Sequence, residues 1–110
     1  MKTLIVTVGR DSFRGTLSLK KWTNFKHLVL LAAELAGGSG QDGIYFEGEG
    51  QGHSATWGDE EAYTVVVGLP KGTVTPGTVW RLSSLAKQYD QEAIAYTVGE
   101  TNLIEAEVEV

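Results

Sequence analysis

The sequence predicts an α+β fold in a single domain spanning residues 1–110. Three observations carry this expectation: an apolar run with strand alternation at the start, two stripes of apolar residues at helical spacing, and further strand-like runs between and after them.

Residues 3–8 alternate, with Leu4, Val6 and Val8 on one face. Ile5 adds an apolar side chain to the other face, so this strand belongs inside a sheet. A polar loop follows, and Ser18 then provides an N-cap with Leu17 placed to staple onto Trp22. Trp22, Phe25, Val29, Ala32 and Ala36 recur at helical spacing, with Leu28 and Leu35 widening the stripe. Gly37-Gly38 ends that helix.

Residues 37–58 hold eight glycines around a short strand-like run, Ile44 to Glu47. A mobile hairpin tip is expected there. Residues 62–67 form a strong strand able to pair with 45–47. Thr75-Pro76 reads as a cap followed by proline at the first helical position, and Val79, Leu82, Leu85, Ala86 and Tyr89 make the second stripe. Residues 93–98 read as a further strand. Ile104, Ala106, Val108 and Val110 alternate with Glu105, Glu107 and Glu109, which predicts an added C-terminal strand with one solvated face.

The order β-α-β-β-α-β with that extra strand is the ferredoxin-like arrangement, an antiparallel sheet carrying two helices on one face. The other face is left bare. Pairing of two copies through the sheet is therefore expected, because exposed apolar patches mark interfaces and homo-oligomers are usually symmetric.

Charge is distributed unevenly. The first 27 residues carry six bases and one acid, and the remaining 83 carry three bases and thirteen acids, within a net charge of −5. A local basic surface on an acidic protein follows, and the overall sign opposes binding of duplex nucleic acid. The chain has no cysteine, so disulfides, thiolate chemistry and cysteine-based metal sites are excluded. No apolar stretch approaches the length of a membrane span, since residues 28–36 include Glu34. A cytoplasmic protein without membrane contact is the expectation.

Gly15, Ser18, Trp22 and Phe25 form a G-x-x-S-x-x-x-W-x-x-F pattern, and Tyr89, Gln91 and Glu92 a Y-x-Q-E segment, with Leu85 and Trp57 between them. This spacing resembles a small bacterial family of ferredoxin-like layout and no assigned activity. The resemblance implies fold rather than function, and the absence of an export leader departs from that family. In style the short, acidic, cysteine-free chain is similar to accessory proteins of bacteriophages.

Arg10 and Arg14 flank the loop after the first strand, and Lys20 and Lys21 lie in the first helical turn, where cations oppose the helix dipole. With backbone N–H groups at the helix start they can hold an anionic group, while Trp57 or Tyr63 offers a plane for a base. On this reading Arg10→Ala with Arg14→Ala abolishes binding without lowering the melting temperature. His53 lies near Glu47, Glu49, Asp59, Glu60 and Glu61 without distinctive metal-ligand spacing. The glycine-rich run 48–53 has no Lys-Ser/Thr and is not a phosphate loop.

The expected ligand-binding residues are thus Arg10, Arg14, Lys20, Lys21, Trp57, Tyr63 and His53, with no catalytic set, no metal and no cofactor. The function expected is a non-enzymatic binding protein, of phage anti-defence type, that sequesters a small anionic nucleotide-type ligand or blocks a host protein. Two alternatives compete with it. One is a cofactor-free monooxygenase or isomerase on a dimeric scaffold, with His53 or a buried glutamate as base. The other is an acidic nucleic-acid mimic using Glu105, Glu107, Glu109 and Asp59-Glu60-Glu61.

Overall fold

The computed structural model describes residues 2–37, 43–102, 104 and 106. The elements are β1 (Lys2–Gly9), β2 (Asp11–Ser12), β3 (Gly15–Thr16), α1 (Leu19–Gly37), β4 (Ile44–Ser54), β5 (Gly58–Gly68), α2 (Pro76–Gln88) and β6 (Ala95–Glu100). The main sheet is antiparallel in the order β4-β5-β1-β6, and β2 with β3 forms a separate two-stranded ladder. This is the ferredoxin-like α+β layout.

Period-two alternation sorts the sheet into two faces. Leu4, Val6 and Val8 of β1 stand opposite Val67, Val65 and Tyr63 of β5, and all six are buried under the helices. Helix α1 supplies Trp22, Phe25, Val29, Ala32 and Ala33 to the same core, and α2 supplies Leu82. Phe25 stacks on Tyr89 with ring centroids 4.7 Å apart, so the end of α2 is clamped to the middle of α1.

Both helix starts behave as their sequences imply. Ser18 Oγ accepts from the Lys21 N–H at 3.3 Å, and Leu17 and Trp22 are both buried, as a hydrophobic staple requires. Thr75 caps α2, its hydroxyl accepting from the Thr78 N–H at 3.2 Å, with Pro76 at the first helical position. The Y-x-Q-E segment has a tying role. Buried Gln91 donates from Nε2 to the Asp11 carbonyl at 3.0 Å, and Glu92 accepts from the Thr56 hydroxyl.

Four expectations change. The glycine-rich stretch is mostly strand: β4 runs eleven residues and pairs with β5 from Ile44 to Ser54, with a bulge between Ile44 and Phe46. Backbone pairing with β5 overrides the low strand propensity of glycine. The polar loop after β1 contains the β2–β3 ladder, closed by Ser12 Oγ donating to the Gly15 carbonyl at 2.7 Å. The added C-terminal strand is not present at Ile104 and Ala106, which are exposed and in no strand, while Glu105, Glu107, Val108, Glu109 and Val110 lie outside the described residues, as does Gly38. Leu35 also leaves the expected stripe, facing solvent at 60% exposure.

Gly37 sets how closely α1 approaches the sheet. A Cβ there would stand 2.6 Å from Val67 Cγ2 and 3.2 Å from the Gly68 carbonyl oxygen. In an unobstructed helix Gly→Ala gains up to about 1 kcal/mol. Here Gly37→Ala is expected to destabilise the fold by about 1–3 kcal/mol, because the core must shift to admit the methyl group. Urea unfolding of the variant checks the sign, and a gain in stability would show that the helix end yields without cost.

Candidate functional site

A cleft of about 400 Å³ lies on the helix-covered side of the sheet, between α1 and the edge strand β4. Its lining is Lys26, His27, Glu47, Gly48, Glu49 and Tyr63. Register explains the gathering. Glu47 pairs with Val65 and Glu49 with Tyr63, so both carboxylates share the face that α1 covers. Lys26 and His27 project from α1 toward that edge, and Lys26 forms an ion pair with Glu49 while its ammonium sits 5.2 Å from the centre of the Trp22 ring.

Tyr63 is 4% exposed, and Glu47 faces solvent. Burial first, then the hydrogen bond to Glu47 and the negative charge of Glu47 and Glu34, push the phenol well above its ordinary value of 10.0. The hydroxyl is therefore a proton donor to the Glu47 carboxylate through the neutral range. The site thus combines a fixed phenol, a carboxylate oriented by it, and a second carboxylate neutralised by lysine. Such a cleft suits a cationic or zwitterionic group more than a bare anion.

The residues singled out from the sequence are scattered over the molecule. Arg10 is a structural clamp: its Nε donates to the Leu17 carbonyl at 2.8 Å and its Nη1 pairs with Glu61 at 2.6 Å. Arg14 pairs with Asp90 at 3.2 Å and, with Lys21, Ser12, Thr16 and Ser18, lines a separate cleft of about 260 Å³ at the start of α1. Lys20 is exposed and does not line either cleft. Trp57 packs edge-on against Phe13 at 5.4 Å, and His53, near the hairpin turn, pairs with Asp59 at 3.0 Å. Only Tyr63 of the seven reaches the α1–β4 cleft.

The sequence placed Glu47 at the end of a short strand able to pair with residues 62–67 and near His53, but not in a cleft, because the ladder that continues through the glycines to Glu49 and sets both carboxylates beside Tyr63 was not legible. The other acidic residues have partners too. Glu60 accepts from the Asp11 N–H at 2.8 Å, Glu61 holds Arg10 and Asp59 holds His53, so the Asp59-Glu60-Glu61 run is not a free acidic surface. Among the described residues no three His, Cys, Asp or Glu side chains converge on a common metal position, and no helix is long and apolar enough to cross a membrane.

Two predictions separate scaffold from site. Arg10→Ala is expected to cost about 1–2 kcal/mol, since it leaves the Leu17 carbonyl and Glu61 without their donor, whereas Arg14→Ala leaves the unfolding midpoint nearly unchanged. Equal effects in urea titrations would refute the distinction, and the expected loss at Arg10 replaces the expectation of an unchanged melting temperature. For Tyr63 the folded state holds its proton more tightly than the unfolded chain, so its contribution is fully present below pH 10.0 and is lost as pH rises beyond it. Tyr63→Phe should flatten the fall in stability between neutral and strongly alkaline pH, measured as the difference from the parent protein.

No protein-family model matches the chain, and no curated protein does, so the bacterial-family resemblance has no support from relatives. Among solved structures the fold is similar to a phage SAM lyase in complex with S-methyl-5′-thioadenosine, with a TM-score of 0.52 and 16% sequence identity over 90% of this chain and 80% of that one. The likeness is one of fold. It also corrects the expectation of a non-enzymatic binding protein, which rested on reading this small layout as lacking a catalytic set: the solved chain that shares the layout is an enzyme, and it holds a nucleoside-type ligand.

Proposed function

We propose that the chain is a small enzyme that takes a nucleoside-type sulfonium compound, S-adenosylmethionine, into the α1–β4 cleft and cleaves it as a lyase. The observation that carries this reading is the Tyr63–Glu47 pair at the mouth of a cleft of about 400 Å³. The likeness in fold to a SAM lyase supports it as analogy.

Chemistry assigns the groups. When the C–S bond of the sulfonium breaks, its electron pair stays on sulfur and the leaving group is a neutral thioether, while the carbon it leaves takes an electron pair from the substrate's own carboxylate and closes a lactone, so no further reactant is needed. Positive charge at sulfur therefore disappears along the reaction, and a carboxylate held against it would favour the ground state over the transition state. The substrate's ammonium group keeps its charge throughout. Glu47, aimed by the Tyr63 hydroxyl, is suited to that ammonium, so that binding energy goes into position rather than into holding the sulfonium back. Lys26, already paired with Glu49, limits the net negative charge of the cleft.

The expected preference for an anionic ligand belongs to the other cleft, where Asp90 already occupies Arg14. The α1–β4 cleft is the larger and the more acidic, and the ligand is placed there.

Incubation of the purified protein with S-adenosylmethionine, followed by chromatography and mass spectrometry, should show S-methyl-5′-thioadenosine accumulating over the uncatalysed background. Glu47→Gln and Tyr63→Phe should each lower turnover about 10- to 100-fold while far-ultraviolet circular dichroism stays unchanged. No product above background, or full activity in both variants, would overturn the reading.

A further inference from the structure

The α1–β4 cleft holds charges of both signs. Glu47 and Glu49 stand two residues apart on one face of β4, about 7 Å along the strand. Lys26 reaches down from α1 to Glu49 and is the one lysine or arginine that lines the cleft.

The lysine is more covered than its partner. Its side chain is 18% exposed, against 56% for Glu49, and its ammonium lies 5.2 Å from the centre of the Trp22 ring. A pair with so exposed a partner adds little to stability, whereas covering an ammonium has a cost, so the fold alone gives this position weak reason to be lysine. An ammonium also has three N–H donors. Among the described residues its polar partner is Glu49, and the Trp22 ring takes up another side of the charge. Because Lys26 lines the cleft, its remaining donor capacity serves a ligand there.

We propose that Lys26 holds the substrate's α-carboxylate, an assignment that rests on the reading above in which Glu47 takes the ammonium. The cleft then selects a free α-amino acid end rather than nucleoside sulfonium compounds in general. In an α-amino acid the ammonium and the carboxylate share one carbon, and with a hydrogen bond of about 2.8 Å at each end the group spans roughly 8 Å. That is comparable to the spacing from Glu47 to the lysine beside Glu49. Glu49, more than half exposed, can turn toward water as the carboxylate arrives, while Lys26 stays packed on Trp22.

Holding one oxygen also orients the nucleophile. Lys26 donates to one carboxylate oxygen, and the other gives its electron pair to the carbon that sulfur leaves. The C–O bond forms as the C–S bond breaks, and no proton is transferred. A compound without the carboxylate has neither the contact nor the nucleophile.

The test is read by binding and needs no turnover. S-adenosylhomocysteine has the nucleoside, the ammonium and the carboxylate but a neutral sulfur, and its decarboxylated counterpart, S-adenosyl-3-thiopropylamine, lacks only the carboxylate. Calorimetric titration of the parent protein should show S-adenosylhomocysteine binding about 10- to 100-fold tighter than the decarboxylated compound. Lys26→Met, which keeps an apolar stem on Trp22, should erase that advantage without weakening the decarboxylated compound, and Lys26→Arg should restore most of it. Glu49→Gln should preserve the advantage. If Lys26 serves only to tie α1 to β4, Lys26→Met and Glu49→Gln will weaken both compounds alike, and the inference falls. Equal affinity of the parent for the two compounds, with S-adenosylmethionine still cleaved, overturns this inference alone; binding of neither overturns it together with the reading it rests on.

Discussion

The packing of α1 on the β1–β5 pair is the constraint from which the rest of the molecule follows. Trp22, Phe25, Val29, Ala32 and Ala33 lie against Leu4, Val6, Val8, Val65 and Val67, all buried. A fully buried side chain of this size contributes about 1.5–3 kcal/mol, so this seam dominates the apolar stabilisation of the domain. Gly37 lets the helix end descend to within contact of Val67. Once this seam is set, alternation along the strands has no remaining freedom, because a one-residue slip would turn every core side chain to the opposite face. Tyr63 is carried to the helix side at the end of the same row, and its partner strand brings Glu49 and Glu47 beside it.

The charge asymmetry of the sequence acquires a different meaning in three dimensions. Lys2 pairs with Glu100, Arg10 with Glu61, Arg14 with Asp90 and Lys26 with Glu49. Every one of these pairs joins a base from the first 27 residues to an acid from the later part of the chain. Most are exposed, and exposed pairs contribute only about 0–1 kcal/mol each. Their shared direction matters more than their strength: they favour closure of the later strands and the turn after α2 onto the opening segment over alternatives that would set acid against acid. The basic patch read from the sequence is thus largely consumed by the fold. Lys20 and Lys21 have no ion pair among the described residues, and one of them lines the cleft that retains Arg14.

The two helices, their caps and the core strands were legible because each obeys a local rule: periodicity for the stripes, Ser18 and Thr75 for the starts, alternation in residues 3–8 and 62–67. What escaped was decided by pairing between distant segments. The glycines at 48, 50 and 52 lower the strand propensity of β4, yet a ladder to Val65, Tyr63 and Glu61 outweighs that cost, and with it the register that makes Glu47 a site residue becomes visible. Arg10 looked like a ligand-binding cation because nothing local reveals that the Leu17 carbonyl and Glu61 would meet its guanidinium. Tyr63 was singled out for its ring, whereas the fold buries the ring and gives its hydroxyl the specific contact.

One edge strand therefore carries two faces of opposite character. On the inner side β4 must carry polar side chains, Glu47 and Glu49, that α1 covers only in part. On the outer side it carries glycine at 48, 50 and 52, a pattern that weakens an isolated strand. β4 hydrogen-bonds along one side only, to β5, so its position depends on that ladder and on the Lys26–Glu49 ion pair reaching down from α1. Under the proposed function Glu47 must be placed closely, and the ladder from Phe46 to Ser54 is what places it. The alternation of glutamate and glycine from residue 47 to residue 50 thus gives one strand a face of carboxylates toward α1 and a face without side chains away from it, and only the pairing with β5 decides which is which.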